Sequence, residues 1–135
     1  MIKLYLDIDG VIIDNKKSQP AKHAKEFIDY VTTHFECYWL TTHCKESTVT
    51  AMRYLSDYFE PYVLQKLSTI LPTTWSTLKT EVIDFDAEFV WIEDYPLESE
   101  KKILQQNGAQ DRLLMIDLNT ESALKLAIGQ LQLLK

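Results

Sequence analysis

Short, almost solidly apolar runs recur along this chain, and most of them stop abruptly at a polar or acidic residue. Ile2 to Leu6 stops at Asp7, Cys37 to Leu40 at Thr41 and Phe89 to Ile92 at Glu93, and Leu113 to Ile116 closes the series. A strand with one wet face would alternate apolar and polar residues. A continuous apolar run of this length is buried on both faces, as in a parallel sheet covered by helices. The intervening stretches have helical spacing. From Pro20 to Phe35 the apolar residues are Ala24, Phe27, Ile28 and Val31, and Pro20 stands in a helix-start position. From Ser47 to Phe59 they are Val49, Met52, Leu55 and Phe59. Leu78 to Phe85, Leu97 to Gln106 (stopped by Asn107-Gly108) and Thr120 to Leu134 complete the predicted helices. With Tyr62 to Leu64 as a short third strand, the pattern predicts an α/β domain with a parallel sheet of about five strands and helices on both faces. Leu67 to Thr77, broken by Pro72, carries no clear assignment.

The chain has 135 residues, which suits one compact domain spanning 1–135. No apolar run is long enough to cross a membrane, and the first residues lack the long uncharged stretch of a signal peptide. Cys37 and Cys44 are the only cysteines, and Cys37 lies in a strand-like run, so both are expected to be reduced thiols in a cytoplasmic protein. A net charge of −6 without a Lys/Arg cluster argues against an extended nucleic-acid surface, while leaving a nucleic-acid end open as a substrate.

In parallel sheets of this kind, ligands bind beyond the carboxyl ends of the strands. Asp7, Thr41 and Asp94 each follow a strand-like run, so they are expected to face one crevice. Leu4-Tyr5-Leu6-Asp7-Ile8-Asp9-Gly10-Val11 carries the most information. Its two acids can reach one small volume where Gly10 lets the chain turn. Two close carboxylates repel unless a cation lies between them, and oxygen donors at a phosphate site suit magnesium. Thr41 can offer a hydroxyl and an N–H to a phosphate oxygen, and Glu93-Asp94 adds acids at the same rim. Each of these signals alone also fits an ordinary turn or cap.

Taken in order, Asp7-Ile8-Asp9-Gly10-Val11, Thr41 after a second strand, a lysine, and Glu93-Asp94 after a later strand resemble the four signature motifs of haloacid dehalogenase-like phosphatases. Glu36-Cys37-Tyr38-Trp39-Leu40-Thr41 and Ile92-Glu93-Asp94-Tyr95-Pro96 look most like the capless protein phosphatases of that superfamily. The resemblance implies a three-layer Rossmann-like fold and a Mg²⁺-dependent phosphomonoester hydrolase. Asp7 would be the nucleophile that forms an aspartyl-phosphate, and Asp9 the general acid and then base. Asp7, Asp94 and the Asp9 backbone carbonyl would hold the metal, and Thr41 with Thr42 the phosphate. The lysine that steadies the charge around Asp7 would be Lys79, with Lys66 as competitor. Glu93 departs from the commoner Asp at its position, which suggests a supporting group rather than a ligand.

The chemistry is coherent residue by residue. A carboxylate nucleophile splits the displacement in two, a cation and a lysine neutralise the phosphoryl oxygens, and a neighbouring acid shuttles the proton. No separate cap domain fits between the motifs, so the site should be open to a protein or nucleic-acid phosphate, or to a small phosphorylated molecule. His43 and Cys44 do not form a Cys-x5-Arg phosphate cradle, because the sixth residue after Cys44 is Thr50. Trp39 and Trp91 read as core, and Trp75 as a residue at the entrance. Three other readings compete. A phosphate-receiver domain would carry its acid pair and phosphorylated Asp in a different chain order. A non-enzymatic metal- or phosphate-binding module would keep the acids without turnover, and a small-molecule nucleotidase would release phosphate from nucleoside monophosphates.

Overall fold

A computed structural model describes residues 1–42 and 47–134. Its centre is a four-stranded parallel sheet flanked by helices. The strands are β1 (Lys3–Leu6), β4 (Glu36–Trp39), β5 (Phe89–Glu93) and β6 (Leu113–Met115), in the spatial order β4-β1-β5-β6. A small antiparallel hairpin, β2 (Ile13–Asp14) and β3 (Gln19–Pro20), follows β1. The helices are α1 (Ala24–His34), α2 (Val49–Leu55), α3 (Pro61–Leu67), α4 (Glu98–Gln106) and α5 (Ala123–Gln132). None of these helices is long and apolar enough to cross a membrane.

Strand alternation divides the core between the two faces of the sheet. Leu4 and Leu6 of β1, with Val90 and Ile92 of β5, belong to one apolar cluster, together with buried residues of α1, α2, α3 and α5. Tyr5, Phe89 and Trp91 point to the other face, where Leu104 of α4 joins them. The α1 stripe expected from the sequence (Ala24, Phe27, Ile28 and Val31) is buried throughout. Trp39 and Trp91 are fully buried, as expected of core residues. Cys37 is also buried and free, its Sγ donating to the Val31 carbonyl at 3.2 Å.

The structure corrects two local expectations. Tyr62 to Leu64 is not a strand but the middle of α3, where Pro61 occupies the first turn and Val63 and Leu67, four residues apart, face the core. The place beside β4 is taken instead by Leu71, which makes a single parallel bridge. Its N–H donates to the Cys37 carbonyl at 3.0 Å and its carbonyl accepts from Trp39 N–H at 2.8 Å. Leu78 to Phe85 shortens to one 3₁₀ turn, Lys79–Val82, because the backbone becomes extended at Ile83 (φ −73°, ψ 128°).

The helix after β1 packs on one face, and the helix after β5 on the other. The connections therefore leave β1 and β5 in opposite directions. The crevice at the carboxyl ends of these two neighbouring strands is the topological switch point, where parallel α/β sheets bind their ligands.

Candidate active site

Register places the acids at that crevice. Leu6 of β1 lies opposite Ile92 of β5, and Asp7 N–H donates to the Ile92 carbonyl at 3.2 Å, so Asp7 and Glu93 leave adjacent strand ends side by side. Carboxylate oxygens of Asp7, Glu93 and Asp94 lie within 4.8 Å of one another. Asp7 Oδ1 accepts the Ile8 N–H at 2.8 Å, which fixes the carboxylate. Its other oxygen, Oδ2, is 3.5 Å from the Lys79 ammonium, and the same ammonium donates to Glu93 Oε2 at 2.9 Å.

The electrostatics follow from crowding. Burial, and then Asp7 beside it, push the Glu93 carboxyl up to about 9. The same two causes raise Asp94. Burial alone would depress Lys79, but Asp7 and Glu93 outweigh it and hold the ammonium above its ordinary value. One ammonium thus faces three carboxylates, two of which hold their protons more tightly than usual. An all-oxygen donor set carrying surplus negative charge could hold a hard divalent cation.

Asp9 stands apart from the three clustered carboxylates. Its Oδ1 accepts the Tyr54 hydroxyl of α2 at 2.7 Å, and burial together with that bond raises the Tyr54 phenol. Between Asp9 and the hairpin, Gly10 adopts φ +80°. Thr41 is buried at the end of β4 and Thr42 is exposed. The competing lysine, Lys66, is half-buried on α3 and pairs with the exposed Asp29 of α1 instead of the clustered acids. Trp75 is half-buried and packs against the second apolar cluster. His43 and Cys44 lie outside the described residues.

Two residues of the site carried no sequence signal of their own. Tyr54 falls outside the apolar face predicted for the Ser47 to Phe59 helix (Val49, Met52, Leu55 and Phe59), and only the fold brings it to Asp9. Glu100, in the first turn of α4, is buried, and its Oε2 accepts the Lys79 N–H at 2.8 Å. An acid three residues after a helix start is an ordinary capping signal, which hides this second contact.

A crevice of about 670 Å³ opens beside Gly10 and Asp94. The hairpin residues Asn15 and Lys17 form one wall, and Asp117 and Asn119, after β6, the other. No family model matches the chain, and no curated protein or solved structure is similar enough to be matched to it.

Proposed function

We propose that this chain is a capless haloacid dehalogenase-like phosphatase: a Mg²⁺-dependent phosphomonoester hydrolase working through an aspartyl-phosphate. In this reading the fold is the three-layer Rossmann-like sandwich of that superfamily, with the Leu71 bridge as a residual fifth strand. The observation that carries it is the meeting of Asp7, Glu93, Asp94 and Lys79 at the switch point, with Lys79 Nζ 3.5 Å from the free oxygen of Asp7.

The steps follow from the groups present. A carboxylate oxygen of Asp7 attacks phosphorus as the bond to the leaving oxygen breaks, and Asp9 gives that oxygen its proton. Asp9, now a carboxylate, takes a proton from water as the water attacks the phosphorus of the acyl phosphate. Inorganic phosphate leaves and Asp7 is restored. Lys79 holds the Asp7 carboxylate in place and meets the negative charge of the phosphoryl oxygens. Thr41 and Thr42, beyond β4, supply phosphate-binding donors. Asp7, Asp94 and the Asp9 carbonyl would hold Mg²⁺, with Glu93 bridging the metal site and Lys79. An ion held there would supply positive charge for the non-bridging phosphoryl oxygens. The crevice beside Gly10 and Asp94 is open to solvent and leaves room for the leaving group.

The test is phosphate release with and without Mg²⁺ from aryl phosphates, nucleotides, phosphopeptides and phosphorylated oligonucleotides. Metal-dependent turnover that disappears in a folded Asp7→Asn variant is the expected result. Turnover that survives Asp7→Asn removes Asp7 as nucleophile, and Mg²⁺ binding with no turnover on any substrate replaces the enzyme by a binding module.

A further inference from the structure

Lys79 reaches the acids from a segment whose backbone is held by two carboxylates. The N–H groups of Ser76, Thr77 and Leu78 donate to Glu81 at 3.0, 3.0 and 2.8 Å. The next N–H, that of Lys79, donates instead to Glu100 Oε2 at 2.8 Å, while Glu100 Oε1 accepts Leu97 N–H at 2.9 Å. Glu81 is exposed, whereas Glu100 is only 3% exposed.

A glutamate that merely capped α4 would need one oxygen on the Leu97 N–H and could stay in water. Glu100 is instead buried, and its second oxygen crosses to a residue 21 positions away in the chain. Both oxygens accept charge-assisted bonds from rigid backbone, so the carboxylate is a fixed strut between the start of α4 and the Cα of Lys79. The helix α4 follows β5, the strand that ends in Glu93. Glu100 therefore ties the backbone of Lys79 to the element that carries the partner of its side chain.

We infer that Glu100 is a positioning residue for Lys79, setting the reach of the ammonium to Asp7 and Glu93. This rests on Lys79 being the active-site lysine of the proposed phosphatase. Glutamine keeps the shape of Glu100 but can accept at only one of the two positions. Its amide would turn an N–H toward one of the two backbone N–H groups, and the strut between Leu97 and Lys79 would be broken.

The experiment is a double-mutant cycle of Glu100→Gln and Lys79→Met, read as kcat and KM of Mg²⁺-dependent phosphate release, with the fold checked by circular dichroism. Glu100→Gln is expected to lower kcat by about tenfold to a hundredfold with KM nearly unchanged, the scale of a small misplacement of a catalytic group. In the Lys79→Met background the same change should cost nothing further, because the group it positions is gone. An equal loss in both backgrounds, or an unchanged kcat, overturns the inference. Should Glu100→Gln not fold, Glu100→Asp replaces it in the cycle and should show the same non-additivity. The Lys79 amide resonance gives a readout independent of turnover and should shift in the glutamine variant. An unmoved resonance overturns the Glu100 contact itself, whereas a shifted resonance in a protein without turnover leaves the contact standing and overturns the phosphatase reading.

Discussion

The Asp94 carboxylate fills the space that a side chain on Gly10 would occupy. Gly10 also holds φ +80°, in the left-handed region where a Cβ is strained. The turn that follows Asp9 and the acid that ends β5 thus approach each other only because position 10 has no side chain. Gly10→Ala should displace Asp94 and strain the turn together. The backbone strain alone is about 1–2 kcal/mol, measurable by urea unfolding. Mg²⁺ affinity, read by calorimetry, should fall in the same variant. Unchanged affinity would separate Asp94 from the metal.

Lys79 and Lys66 have opposite surroundings, which makes them easy to tell apart. Lys79 is largely buried between Asp7 and Glu93, whereas Lys66 is half-buried and pairs with the exposed Asp29. Lys79→Met should cut kcat by about a hundredfold or more, the scale seen when one charge-stabilising group is removed from an active site. Lys66→Met should alter it by no more than about twofold, since exposed ion pairs contribute little. Steady-state kinetics on the two variants decides between them, and a reversed pattern would return the role to Lys66.

The frame of the site was legible because it depends on strand ends, and solid apolar runs mark those ends well. Asp7 and Thr41 stand past the ends of β1 and β4, Glu93 is the last residue of β5 and Asp94 follows it, as the sequence led one to expect. Glu93, expected as a supporting group, pairs with Lys79. Its role depends on a lysine delivered by an irregular segment, and no local pattern encodes that meeting. Tyr62-Val63-Leu64 was misread as a strand because three apolar residues cannot distinguish a strand from one face of a short helix. Pro61 before them was the neglected helix-start signal. Tyr54 and Glu100 were illegible for another reason. Their partners, Asp9 and Lys79, lie 45 and 21 residues away, and only the packing of α2 and α4 brings them close.

Tyr54 supplies the hydroxyl that holds Asp9. Tyr54→Phe removes one hydrogen bond to an acid and leaves the ring in place. Stability should fall by about 1–2 kcal/mol, and kcat should fall because Asp9 no longer sits in one orientation. Denaturation and kinetics on the same sample test both parts. A kcat equal to that of the unaltered chain would show that Asp9 needs no such support.

Glu93 makes the metal-free protein sensitive to base. An acid whose folded pKa exceeds its unfolded one binds its proton more tightly when folded. Its stabilising effect is therefore complete below the unfolded value of 4.5 and is lost as pH rises through about 9. Asp94, also raised, acts in the same direction. Unfolding in EDTA at about pH 5, 7 and 9 should show stability declining across that window. Glu93→Gln, neutral throughout, should flatten the decline, and saturating Mg²⁺ should oppose it by binding the ionised form. Stability that rises with pH in the metal-free protein would contradict the crowding of Glu93 against Asp7.

Asp94 should show the opposing demands of binding and stability in a single substitution. Its carboxyl is raised by burial and then by Asp7, so without a cation the charge is unfavourable where it stands. With a cation, the same charge becomes a ligand. Asp94→Asn should weaken Mg²⁺ binding at least tenfold, roughly the cost already seen when a group that only orients a ligand is lost. It should also make the metal-free protein more stable near neutral pH, because a half-buried carboxylate crowded by Asp7 has become a neutral amide of the same shape. Calorimetric titration and urea unfolding in EDTA measure the two effects separately. Weaker binding with unchanged or lower metal-free stability would mean that Asp94 is a ligand whose charge the protein already compensates. Stronger metal-free stability with unchanged binding would mean that its charge is crowded but not used.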